Sequence, residues 1–217
     1  MTRIGFLLAA ALLTACASAP PHGERLLTQA ETRLAQGDHA GASDAFREAL
    51  AHYQMLNDEA AIVRSGLGLA GAALLAGRLQ AADDRLQAIC QQAEIIEPER
   101  LRLLQSSLAL QRGYYEQARL FLEPVLTSPT RSDALYRALL AKRIEVALAA
   151  EADDVDDWLT RYAQAVGERR DQSAVRLHRF RAERARRAGD AETARRELLE
   201  AHRLEKSLPA ALQRHSR

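Results

Sequence analysis

One spaced pattern of small and apolar residues recurs along this chain of 217 residues and constrains its fold more than any other feature. The pattern is a Gly, an Ala five residues later, and apolar residues nine and twelve positions after the Gly. Its copies are Gly37 with Ala42, Phe46 and Ala49; Gly77 with Ala82, Leu86 and Ile89; Gly113 with Ala118, Leu122 and Val125; and Gly189 with Ala194, Leu198 and Ala201. The chain therefore contains repeated units of similar length.

The spacing of the four glycines predicts a further, diverged copy. Successive glycines are 40, 36 and 76 residues apart, and the last interval equals two units of 38. A copy is therefore expected near residue 150. Val155, Leu159 and Tyr162 keep its three apolar positions, while Ala150 takes the place of the Gly.

This pattern is typical of a pair of antiparallel helices. The Gly ends the first helix, where a left-handed cap or a tight turn is needed. The Ala lets the second helix approach the first closely, and the positions five, nine and twelve after the Gly lie on one face of that second helix. One pair cannot bury its own apolar stripe, so we expect the copies to stack and share a core. The sequence therefore predicts an all-α domain.

The Gly, Ala and apolar series resembles the second helix of tetratricopeptide repeats. The resemblance implies an all-α fold, a right-handed α-solenoid of about five antiparallel helix pairs, over residues 25–208, with a C-terminal tail at 209–217. An unrelated helical bundle is the alternative. A solenoid of this kind is expected to be a non-catalytic scaffold that holds a peptide along the groove made by its first helices. The groove positions expected here are 29–33, 69–73, 105–109 and 178–182.

Residues 1–15 have the character of a secretory signal peptide. A basic residue precedes an apolar run at 4–13, which is too short to span a bilayer. The sequence LTAC that ends at Cys16 resembles the bacterial lipobox, in which the Cys thiol is alkylated with diacylglycerol and becomes the new N-terminus. Cleavage after Ala19, among small residues, is the alternative.

Lipidation of Cys16 implies a membrane-anchored lipoprotein of the bacterial cell envelope. Two or more acyl chains hold a protein stably on a bilayer where a single chain is marginal. The residue after the Cys is Ala17 and not an Asp. By resemblance to Gram-negative lipoproteins, this implies the outer membrane and a domain that faces the periplasm. Residues 16–24 comprise the lipidated Cys and a short tether, of which residues 17–23 extend roughly 25 Å at most. The partner is therefore expected to be another envelope protein near that membrane.

Charge is distributed unevenly along the chain, although the net charge is only +1, which argues against a nucleic-acid partner. Residues 161–217 carry 15 Arg or Lys against 8 Asp or Glu, whereas residues 17–160 carry 14 against 21. A solvated capping repeat is one explanation. The alternative function is an accessory lipoprotein that binds an anionic surface, lipid headgroup or glycan. Its expected contact residues are Arg176, Arg179, Arg184 and Arg187.

Two further motifs are expected to be structural. Gly66, Gly68 and Gly71 spell GxGxxG, but the residues before them read as helix, not as the strand that a dinucleotide site needs, so close helix packing is expected. The acidic run at 151–157 lacks the Gly and the terminal Glu of a calcium loop, and it is expected to open a helix at its positive end. A weak cation site or a contact with a basic partner is the alternative for this run.

Catalytic and metal-binding patterns are lacking in the sequence. The six His are scattered, none at a two-His metal spacing on one helix, and no nucleophile is evidently joined to a base. Cys90 is expected to be a small core residue, with a reactive or intermolecular thiol as the alternative. Trp158 is expected to lie in the core or in a groove. We therefore expect no catalysis and no cofactor.

Overall fold

The computed structural model describes residues 21–127 and 132–209, and these residues form ten α-helices and no strand. The helices are α1 (His22–Ala35), α2 (His39–Leu56), α3 (Glu59–Leu75), α4 (Leu79–Ile96), α5 (Pro98–Gln111), α6 (Tyr115–Leu126), α7 (Asp133–Ala149), α8 (Val155–Val166), α9 (Gln172–Arg187) and α10 (Ala191–Ser207). The prediction of an all-α chain is therefore confirmed.

Packing runs along the chain from one helix to the next. Each helix contacts its successor, and the odd-numbered helices α1, α3, α5, α7 and α9 also contact one another in series. The apolar core is accordingly divided into local clusters, such as the one that α1 and α2 form with the start and middle of α3. The buried apolar residues therefore lie mainly between helices that are close in the chain.

A glycine in the left-handed backbone region follows each of the helices α1, α3, α5 and α9, as the pattern predicts. Gly37, Gly77, Gly113 and Gly189 have φ angles of 80°, 70°, 79° and 77°. After α1 the Gly37 N–H donates to the Leu34 carbonyl, and the Asp38 N–H donates to the Arg33 carbonyl at 3.0 Å. These bonds satisfy carbonyls that the end of a helix would otherwise leave unpaired.

The turn between α7 and α8 lies at a different residue from the one predicted. The positive φ falls on Glu151, at 53°, while Ala150 remains right-handed as the cap of α7. Glu151 rather than Ala150 is therefore the counterpart of the glycines. The loop that follows is longer than in the other pairs, because α8 begins only at Val155.

The apolar positions of the pattern are mostly buried. Phe46, Leu86, Leu122 and Leu159 are between 0% and 8% exposed, and the corresponding Ala residues near the start of the second helices are buried as well. The last copy differs, since Leu198 of α10 is 55% exposed although Ala194 and Ala201 beside it are buried. The pattern thus identifies the core except at the end of the stack.

Short acidic and hydroxyl side chains begin several helices. Each accepts a hydrogen bond from a backbone N–H of the first turn, which would otherwise lack a partner. These N-caps are Asp38, Asp58, Ser132, Asp171 and Asp190. The bond from the Thr193 N–H lowers the pKa of the Asp190 carboxyl below its ordinary value, because it stabilises the ionised form.

The GxGxxG motif lies within α3, which confirms the expectation of helix packing. A Cβ at Gly66 would lie 3.0 Å from Cγ2 of Ile89, so the missing side chain lets α4 approach α3 closely. Gly71 faces Leu104 of α5 at an ordinary contact distance of 3.6 Å.

Candidate functional site

A cleft of about 260 Å³ opens between α4 and α6, with α5 as its floor. Its apolar floor consists of Leu108 and Ala109 of α5 with Leu86 of α4, and its aromatic lip consists of Tyr114 and Phe121. Leu86, Leu108 and Ala109 are buried, whereas Tyr114 is 57% exposed at the mouth. An apolar floor with an aromatic lip is the kind of surface that receives an apolar side chain of a ligand.

Polar groups line the rest of this cleft. Gln87 of α4, Gln105 of α5 and Gln117 of α6 each present an amide, which both donates and accepts hydrogen bonds. Arg102 donates to Oε1 of Gln105 at 3.0 Å, which holds that side chain in place. Amides from three helices can both donate to and accept from a peptide backbone, and Nε2 of Gln87 also donates to Oδ1 of Asp83 at 3.1 Å.

An ion pair joins the two helices α4 and α5 beside the cleft. Nη1 of Arg112 lies 2.7 Å from Oδ2 of Asp83, and both side chains are about three-quarters buried. Because α5 carries Arg112 directly after its last turn, the pair fixes the end of the floor helix against α4. The cleft is thus supported by a contact that does not depend on a ligand.

Cys90 also lines the cleft and is half-buried, but it packs against the core cluster that contains Leu86 and Leu108, so the expectation of a core residue is met in part. Its Sγ lies 3.9 Å from Nε2 of Gln105. The position one turn along α4 from Leu86 brings the thiol to the cleft wall, at the edge of this core cluster.

The four groove segments expected on the first helices are not equally accessible. Residues 69–73 are largely in the core: Leu69 is 5% exposed and Ala70 is 0% exposed, so this segment cannot line an open groove. The reason is that α3 is packed on several sides, by α2, α4, α1 and α5. Segment 105–109 contributes Gln105, Leu108 and Ala109 to the cleft. In segment 178–182, His178 forms a hydrogen bond with Glu197 of α10. In segment 29–33, Gln29 is exposed.

The arginines of α9 are used mostly for contacts within the chain. Arg184 donates from Nε and Nη2 to the two carboxylate oxygens of Asp156 in α8, at 3.1 and 3.0 Å. Arg187 donates to Glu183 and to the backbone carbonyl of Leu148 in α7. These bonds fasten the end of α9 to both helices of the preceding pair.

The other two α9 arginines differ from each other. Nη2 of Arg179 lies 3.0 Å from Oε2 of Glu205 in α10, whereas Arg176 is exposed. Three of the four predicted contact residues therefore have carboxylate partners, which offset much of their positive charge. The structure brings the four onto one helix but does not assemble them into one open basic patch.

The acidic run opens α8, as expected, and two of its members form specific contacts. Asp156 and Asp157 lie in the first turn of α8. Asp154 accepts from Nε1 of Trp158 at 2.8 Å and from Nη2 of Arg143, which is only 3% exposed. Trp158 is half-buried, with the guanidinium groups of Arg143 and Arg161 at 4.8 and 4.6 Å from its ring centroids. Cation–π contacts and an ion pair thus join α7 to α8.

The described helices contain neither a metal-binding cluster nor a membrane span. Among residues 21–127 and 132–209, no group of three or more His, Cys, Asp or Glu side chains is arranged to hold a metal ion. None of the ten helices is both long enough and apolar enough to span a bilayer. Cys16, the signal segment at 1–15 and most of the tail at 209–217 lie outside the described residues.

Comparisons with protein-family models, with curated proteins and with solved structures gave no match to this chain.

Proposed function

We propose that this chain is a non-catalytic scaffold that binds a peptide segment of another envelope protein. The observation that carries the proposal is the cleft between α4 and α6, where amides from three helices surround an apolar floor. An apolar side chain of the peptide enters between Leu86, Leu108 and Phe121, while the Gln amides bond to the peptide backbone. This division of work, burial for affinity and polar groups for orientation, is common in ligand sites.

The proposal includes a solenoid architecture. Ten helices, each in contact with the next, and a repeated Gly turn after α1, α3, α5 and α9 support five antiparallel pairs that resemble tetratricopeptide repeats. We propose that these pairs form a right-handed α-solenoid. Small-angle X-ray scattering checks this arrangement, because five stacked pairs give an elongated particle and a closed bundle gives a compact one.

Anchoring at Cys16 is also part of the proposal. The lipobox-like sequence supports a diacylglyceryl group on Cys16 and a location at the outer membrane, on its periplasmic side. The test is intact mass and fractionation of the wild type and of Cys16→Ser in the native host. A diacylglyceryl mass and membrane retention in the wild type alone support the anchor; two soluble proteins that begin at Pro20 exclude it.

Two neighbouring tyrosines allow a matched test of the cleft. Tyr114 lines it at 57% exposure, while Tyr115 is 40% exposed and is not among its lining residues. A photo-crosslinking residue at Gln117, in the full chain in its host, is expected to capture one protein, with the capture reduced about tenfold by Tyr114→Ala because an aromatic contact is lost. Tyr115→Ala should leave it unchanged. Equal effects of the two substitutions would contradict binding in the cleft.

Binding of an anionic lipid or glycan surface through Arg176, Arg179, Arg184 and Arg187 is the second candidate. The net positive charge of residues 161–217 favours it, but the ion pairs of Arg179, Arg184 and Arg187 weaken it. The test is cosedimentation with vesicles that contain phosphatidylglycerol. Loss of binding with Arg176→Glu, the change that breaks no ion pair described above, would support this function.

A further inference from the structure

The exposed face of α10 occupies the place where every earlier pair is covered by another helix. The ring of Phe46 in α2 lies against Gly68 of α3. Leu86 of α4 shares a core cluster with Leu101 and Leu108 of α5. In each case the residue nine positions after the turn is covered by the first helix of the next pair.

A similar relationship holds for the next two pairs, where Leu159 lies eight rather than nine positions after the turn residue Glu151. Leu122 of α6 shares a core cluster with Leu139 of α7, and Leu159 of α8 shares one with Leu177 and Phe180 of α9. The equivalent residue of α10 is Leu198, which is 55% exposed, and Leu199 beside it is 61% exposed. No helix follows α10 in the described part of the chain. Among the described residues, the end of the stack therefore presents an apolar position that no helix covers.

The charged residues around Leu198 and Leu199 indicate which charge a helix that covers them would carry. The solvent face of α10 carries exposed basic residues and His202, together with exposed Glu192 and the partly exposed Glu200. The basic residues are Arg195, Arg196, Arg203 and Lys206. Arg195 forms no ion pair with any described residue, and the contact between Arg203 and Glu200 is loose, at 3.7 Å, with the Arg203 side chain 82% exposed. A helix that covers Leu198 and Leu199 thus meets a rim that is mainly positive.

From this geometry we propose that α10 binds an acidic amphipathic helix of a partner protein in the place of an eleventh helix. Its apolar stripe covers Leu198 and Leu199, and its flanking carboxylates face Arg195 and Arg203. The proposal rests on the packing of α10 alone and is independent of the cleft between α4 and α6.

A second copy of this chain is a poorer occupant of the α10 face. Two α10 helices packed together would bring the arginines of one copy close to those of the other, which is unfavourable. The helix at the opposite end of the stack, α1, exposes the polar residues Arg25, Thr28 and Gln29, so it offers no apolar stripe to Leu198. Charge and hydrophobicity therefore both favour a different protein.

The test is photo-crosslinking in the full chain in its native host, with the crosslinking residue at Leu198 and a control at Ile95. Ile95 of α4 is 84% exposed and lies far along the sequence from α10. We expect a crosslink from position 198 to a segment whose sequence is an acidic amphipathic helix, and none to that segment from position 95. Identification of the crosslinked peptide by mass spectrometry decides the class of partner.

Two variants test the chemistry of the contact. Leu199→Asp is expected to reduce the crosslink at least about tenfold, because burial of one Leu is lost. Arg195→Glu with Arg203→Glu is expected to reduce it about fivefold, and more at low salt than at high salt. Both variants change exposed residues, so their circular dichroism and melting should match the wild type. A crosslink to lipid, to a second copy or to no protein, or an unchanged yield in both variants, would overturn the proposal.

Discussion

The aromatic ring of Phe46 in α2 occupies the space that a side chain at Gly68 of α3 would need. A Cβ built at Gly68 would lie 2.6 Å from both Cδ1 and Cζ of that ring. Phe46 is 2% exposed and cannot move aside without opening the core cluster of the first helices. One glycine of the GxGxxG motif is thus required by helix packing, and not by a phosphate group.

Gly68→Ala is therefore expected to destabilise the fold by about 2 kcal/mol, because overpacking outweighs the gain in helix propensity. The matched control is Gly71→Ala in the same helix, which meets Leu104 at 3.6 Å and should be neutral or stabilising by up to about 1 kcal/mol. Urea unfolding of both variants measures the difference. Equal stability of the two would contradict the packing argument.

A glycine at position 151 is expected to stabilise the turn between α7 and α8. Glu151 has a φ of 53°, which costs a residue with a side chain roughly 1 kcal/mol. Glu151→Gly should recover about that amount, while Glu151→Ala, which removes the charge and keeps the strain, should recover little. The check is the melting temperature of both variants; a gain from Ala as large as that from Gly would assign the effect to charge instead.

The ion pair of Arg143 and Asp154 is expected to matter most when only one partner is removed. Burial lowers the pKa of Arg143, and Asp154 acts in the opposite direction by stabilising the charged form. Asp154→Ala leaves the buried guanidinium without its carboxylate and should cost about 3 kcal/mol.

Replacement of both partners, as Arg143→Met with Asp154→Ala, should cost less than Asp154→Ala alone, because no buried charge remains. Chemical unfolding of the single and double variants measures the coupling between the two positions. Additive effects would show that the pair contributes only as two independent side chains.

Stability should also depend on Glu183 at acidic pH. Hydrogen bonds from Arg186 and Arg187 lower the pKa of the Glu183 carboxyl from 4.5 to about 2 in the folded chain. The contribution of its ionised form is thus present above pH 4.5 and is lost as the pH falls from 4.5 towards 2.

We expect Glu183→Gln to lower stability at pH 7 by at most about 1 kcal/mol, because the ion pairs lie near the surface and are screened by solvent. The difference from the wild type should shrink at pH 2. Unfolding by urea at the two pH values checks this, and a difference that grows at pH 2 would contradict the sign.

Local features of the fold could be predicted from the sequence alone. The four glycine turns and the burial of Phe46 and Leu122 follow from spacing, because a left-handed cap and one apolar face of a helix depend on residues close in the chain. Glu151 was missed in favour of Ala150, since the longer loop after α7 shifts the turn by one residue without changing the apolar spacing.

Only the tertiary structure decided which of these surfaces remain open. The cleft joins Gln87 and Gln117 from helices that the sequence does not relate, because their separation depends on how α4 and α6 pack on α5. The sequence predicts that the arginines of α9 form a free basic face, but Arg184 donates to Asp156, which precedes it by 28 residues in the chain. Leu198 repeats the buried pattern and is nevertheless exposed. Periodicity determines which face of a helix is apolar, whereas burial needs a second helix to cover that face.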